Sequence, residues 1–191
     1  MLDFSAVKNG SASFADVAAG LTKADLYQVT DEMIDTMQKI VVDATDADVV
    51  FVPQDPNAND TFGKSEDKDL AWTLGHVVVH VTASSEESAA LALTLARGLE
   101  VESRSRYETP WESVTTAAQI HQRLEESRHM RKAMLDAWPE KPNLEITTTP
   151  IPQLGPFNAI GRFIMGLFHD ADHIEQLKEI MRQAHEANSR A

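Results

Sequence analysis

No Asp, Glu, Lys or Arg occurs from Ala71 to Ser85. A helix with one apolar stripe faces a core on one side, whereas a helix uncharged all round has to be enclosed. This segment therefore constrains the fold more than any other, because the rest of the chain must surround it. The run Val77-Val78-Val79-His80-Val81 has the β-branched character of a strand. Its flanks, Glu66 to Trp72 and Glu86 to Arg97, are helix formers with no turn signal between them. We read one long helix from about Glu66 to Arg97, with Ser65 as N-cap and Gly98 at C′.

Three further helical segments are available to surround it. The first runs from about Thr22 to Ala44, with Thr22 as N-cap and Asp25 three residues on. Its Leu26, Val29, Met33, Met37, Ile40 and Val41 recur every three or four positions. Another runs from about Val114 to Trp138, and the last from Pro156 at N1 to about Ala187. Long connections, roughly Thr45 to Lys64, residues 99–112 and Pro139 to Pro156, separate the four. A small polar stretch at the start carries one short helix near Phe14 to Ala19. The expected fold is all-α: an up-down-type four-helix bundle with long connecting loops. One domain spans residues 1–191, with residues 1–20 as an N-terminal extension.

Composition removes several function classes. The formal net charge of -13 argues against nucleic acid and anionic membrane as partners. Arg104, Arg106, Arg123, Arg128, Arg131 and Lys132 form the nearest thing to a basic patch and read as helix-surface charges. There is no cysteine, so disulfides, thiolate zinc sites and a cysteine nucleophile are excluded. No segment has the length of apolar sequence that a membrane span needs, and no signal peptide is visible, so the cytoplasm is the expected compartment. Asp43, Asp46 and Asp48 do not make a calcium loop, because no glycine sits at the turn and Gln54 stands where a bidentate Glu is required.

The histidines carry the chemistry. His76 with His80, and His169 with His173, are each spaced i, i+4, which puts both imidazoles of a pair on one helix face. On the last helix that stripe continues through Leu177, Ile180 and Ala184, while Asp172, Glu175, Lys178, Glu179 and Arg182 lie opposite. His169 and His173 thus extend a buried face. Gly166 shares it and suggests close helix approach or room for a ligand. His121, His129 and His185 fall on charged, exposed stretches. Imidazole donors suit Zn, Ni, Fe(II), Co or Mn. No His-Glu-x-x-His, phosphate-cradling glycine loop or Gly-x-Ser-x-Gly elbow is present. Asp170 is a candidate acceptor for a ligand imidazole, against the plainer reading of a solvated surface acid. Trp111 and Trp138 read equally as core or as dimer surface.

Two stretches resemble the DinB-like superfamily of four-helix metal proteins. Trp72-Thr73-Leu74-Gly75-His76-Val77-Val78-Val79-His80-Val81 looks like its Trp, spacer, His segment on the second helix. Phe168-His169-Asp170-Ala171-Asp172-His173-Ile174-Glu175-Gln176-Leu177 looks like its His-x-x-x-His-x-x-Gln segment on the last. The resemblance implies one divalent metal ion, Zn or Ni first and Fe or Mn next, held by His80, His169 and His173. His76 departs from the pattern, and three roles stay open for it: a group that supports the ligands from behind, a fourth ligand or a gating side chain; Asp170 stands beside it only as a candidate acceptor for a ligand imidazole. The resemblance further implies a homodimer and a small-molecule substrate, with a low-molecular-weight thiol as one cosubstrate class. The implied function is a metal-dependent enzyme, a thiol-dependent transferase or hydrolase-like; the alternative is a non-catalytic, stress-associated metal-binding protein.

Overall fold

A computed structural model describes residues 2–56, 58, 70–101 and 109–189. Among them are seven α-helices and no strand: α1 (Ser5–Lys8), α2 (Phe14–Ala18), α3 (Lys23–Ile40), α4 (Asp46–Val49), α5 (Leu74–Ala96), α6 (Ala117–Asp136) and α7 (Ala159–Asn188). The fold is the all-helical bundle expected of the sequence, with α3, α5, α6 and α7 as its four long members. None of the described helices is long and apolar enough to cross a membrane.

Local side-chain chemistry sets most helix starts. Thr22 and Asp25 form the anticipated capping box at α3, and Thr116 with Gln119 forms another at α6. Three starts differ from the sequence reading, that of α6 being at Ala117 rather than near Val114. Helix α5 begins at Leu74 rather than near Glu66, because the Thr73 hydroxyl accepts from the His76 N–H and caps the helix there. Residues 70–73 are not helical, and Ser65 lies outside the described residues. Gly98, at φ 78, follows the C-cap Arg97 as expected. Helix α7 begins at Ala159 rather than at Pro156. Phe157 is still extended, exchanging backbone hydrogen bonds with Thr148 at 2.8 and 2.9 Å, and Asn158 supplies the cap.

The four long helices occupy the corners of a bundle in the order α3, α6, α5, α7. Consecutive helices α3 and α5 are therefore diagonal, as are α6 and α7, and only a long connection can cross each diagonal. Cross-helix pairs give the directions. Ser85 meets Gly166 and Ser88 meets Arg162, so α5 and α7 are antiparallel. Gln38 meets His121 while Tyr27 meets Asp136, so α3 and α6 are antiparallel too. Thr82 meets Arg123 and Ala96 meets Asn143 just beyond α6, so α5 and α6 run together.

Helix α5 is the enclosed element, with Leu74, Val77, Val78, Val81, Ala92 and Leu95 fully buried. Residues 2–20 are not a loose tail. Phe4 and Phe14 are core residues, packed with Phe168 of α7, and Phe14 also meets Phe157. Trp138 is core as well and meets Phe163 edge-on. The basic residues described on α6 make no patch. Arg123 pairs with Glu86, Arg128 with Asp31, Asp35 and Glu125, and Lys132 with Asp31. Arg104 and Arg106 lie outside the described residues.

Candidate metal centre

The first turns of α5 and the middle of α7 face each other at one end of the bundle. Thr73 fixes where α5 starts, and so which turn of it His80 occupies. The i, i+4 spacing then stacks His169 and His173 on the α7 face that meets it. One ring nitrogen from each of His80, His169 and His173 lies within 4.8 Å of the other two. His80 Nε2 stands 3.0 Å from His169 Nε2, and the three rings are 4.7 to 5.2 Å apart between centroids.

This donor set fits a divalent ion. Nitrogens bound tetrahedrally at about 2.0–2.1 Å stand about 3.3 Å from one another. The 3.0 Å between His80 Nε2 and His169 Nε2 is close to that value, and the His173 nitrogen is within 4.8 Å of both. The electrostatics agree. Burial pushes the His173 pKa below its ordinary value of 6.5, with the hydrogen bond to Gln176 working against it, so the ring is neutral at neutral pH. Gln176 Oε1 lies 2.7 Å from His173 Nδ1 and accepts its proton, leaving Nε2 with its lone pair toward the other two histidines. An ion held by three protein donors would keep a coordination position for another molecule.

His76 is buried beside this group but is not one of the three that converge. Its ring is held between two indoles. Trp111 stacks on it at 4.7 Å and 2°, and Trp72 at 4.5 Å and 22°. Trp72 also stacks on His173 at 5.8 Å and lies 4.5 Å from His80, so one indole touches both helices of the site. Of the other histidines, His129 and His185 are exposed and His121 is half-buried against Gln38 of α3.

Asp170 departs from its plainer reading as a solvated acid: it is fully buried. Its Oδ1 accepts from Ser85 of α5 at 2.7 Å and its Oδ2 from Arg131 of α6 at 2.5 Å. Arg131, read as a surface charge, is 1% exposed and also donates to Ser127 at 2.9 Å. Burial drives the Asp170 carboxyl pKa up, and the Arg131 charge and Ser85 hydroxyl pull against it. Asp172 is at the surface, paired with Lys8 at 2.7 Å.

Gln176 was within reach of the sequence, since it follows His173 by three positions on the same helix. Arg131 and Ser85 were not. Their link to Asp170 joins three helices and leaves no local pattern. Among known families, the DinB superfamily matches residues 29–177, a span that holds His80, His169, His173 and Gln176. Neither the curated proteins nor the solved structures contain a match to the chain.

Proposed function

The chain belongs to the DinB superfamily, and we propose that it is a divalent-metal-dependent enzyme whose ion is held by His80, His169 and His173. The observation that carries this reading is the convergence of three imidazoles from two antiparallel helices. Zn or Ni is the first choice for such a set, with Fe(II) or Mn next. Bound there, the ion would lower the pKa of a thiol or water ligand enough to make it a nucleophile at neutral pH. The chain has no cysteine, so a thiol has to arrive as a low-molecular-weight cosubstrate. The reaction class is thus thiol transfer or hydrolysis of a small molecule.

The residues around the ion have separable tasks. Gln176 orients His173 by holding its Nδ1 proton. Trp72 packs against His80 and His173 and keeps water from that side of the rings. His76, clamped between Trp72 and Trp111, is the side chain we assign to proton transfer. Asp170 is engaged by Arg131, and Asp172 is turned to the surface, so neither is free for that task. We further propose a cytoplasmic homodimer, to be checked by sedimentation equilibrium.

The test begins with metal-free protein reconstituted with Zn, Ni or Co(II). One equivalent should bind, and alanine at His80 or His169 should abolish it. A panel of common low-molecular-weight thiols with electrophilic and ester substrates should then reveal turnover. Stoichiometric metal with no turnover, and no change in the Co(II) spectrum on adding thiol or azide, would favour the non-catalytic metal-binding alternative. Less than a tenth of an equivalent bound would remove the metal reading itself.

A further inference from the structure

We propose that the buried chain Ser85–Asp170–Arg131–Ser127 sets the rotation of α7 about its own axis, and thereby the facing of His169 and His173 onto His80. These four are positioning residues. The inference rests on the three-histidine reading of the metal centre.

Asp170 lies between the two α7 histidines in sequence, about 100° around the helix from His169. Its carboxylate is held from two other helices at once, by Ser85 of α5 at 2.7 Å and by Arg131 of α6 at 2.5 Å. Arg131 is itself anchored by Ser127, one turn before it on α6. The ion pair crosses the diagonal of the bundle, where α6 and α7 have little other contact. Ser85 also reaches the Gly166 carbonyl at 2.9 Å, one turn before Asp170 on the same helix.

Arg162 donates to Ser88 of α5 at 2.7 Å two turns before Asp170, and the other buried α7 side chains nearest the site, Leu167, Ile174, Leu177 and Ile180, are apolar. Apolar contact is non-directional and tolerates a helix turning in its groove. Hydrogen bonds to a carboxylate do not, because they weaken steeply with distance and angle. Side-chain atoms lie about 5–6 Å from a helix axis, so a rotation of about 20° moves them by about 2 Å. Such a turn would break both contacts to Asp170. It would also carry His169 and His173 out of reach of His80. A buried ion pair adds little stability over a well-packed apolar pair. Its directionality is what this position uses.

The test compares Asp170→Asn, Ser85→Ala and the double variant Arg131→Met with Asp170→Leu. The double variant replaces the ion pair by apolar side chains and is expected to melt at or above the wild-type temperature. Its Co(II) affinity is nevertheless expected to fall about 10- to 100-fold, with shifted visible bands, although every candidate ligand is intact. Asp170→Asn should show the same loss, and Ser85→Ala a smaller loss of the same sign. In the metal-free protein, the ring 15N resonances of His80 and His169 report their 3.0 Å contact and should change in the double variant. Unchanged Co(II) affinity and bands in the double variant and Ser85→Ala would overturn the proposal, whether or not Asp170→Asn folds. If wild type binds no Co(II), the metal reading fails. The 15N shifts then decide the positioning role alone, and unchanged shifts overturn it.

Discussion

At the residue scale, His173 shows how a single side chain is made ready. Burial lowers its pKa, so the unfolded chain binds more protons than the folded one as pH falls below about 6.5. The stability tied to its neutral ring is present above that value and is lost as pH falls through the depressed folded pKa. The melting temperature of the metal-free protein is therefore expected to drop on acidification from about pH 7 to about pH 5. His173→Gln should flatten that slope. Gln176 acts on the same ring through tautomer choice. Gln176→Leu keeps the volume and removes the acceptor, and metal affinity should fall about 10-fold in an equilibrium titration.

At the element scale, the approach of α5 to α7 depends on one missing side chain. A Cβ on Gly166 would stand 2.9 Å from Ser85 Cα and 3.0 Å from Ser88 Cβ. The first of these is backbone and cannot swing aside. Alanine improves helix propensity by about 1 kcal/mol, but overpacking costs about 1–3 kcal/mol. Gly166→Ala should thus destabilise in a urea melt, and by pushing the helices apart it should also weaken metal binding. Arg131→Ala is a harsher change. It leaves the Asp170 carboxylate buried and unpaired, and should cost about 3–5 kcal/mol in the same assay. Both changes act on the α5–α6–α7 contact without altering a histidine.

At the scale of the whole molecule, the site joins segments far apart in sequence, since His80 and His169 are 89 positions apart. An ion bound to both would favour the folded state over the unfolded one. At a free metal concentration about 100 times Kd the added stability is about 2.7 kcal/mol. Chelation should lower the melting temperature accordingly, and the shift should vanish in His80→Ala.

The sequence by itself determined the helices, the enclosure of α5 and the two inward histidines of α7. Those follow from charge, period and i, i+4 spacing, which are local properties. The pairing of His80, rather than His76, with α7 was not legible from spacing, since both are members of the same His-x-x-x-His pair on α5. Resemblance to the DinB family favoured His80, and in the tertiary structure it is His80 that meets His169 and His173 while His76 stacks between two indoles. Asp170 and Arg131 are the sharper case. Arg131 read as a surface charge, and Asp170 either as a solvated surface acid or as an acceptor for a ligand imidazole. Only the placing of α6 and α7 across the bundle's diagonal brought them together in its interior, because burial of a charge depends on a partner that another helix supplies.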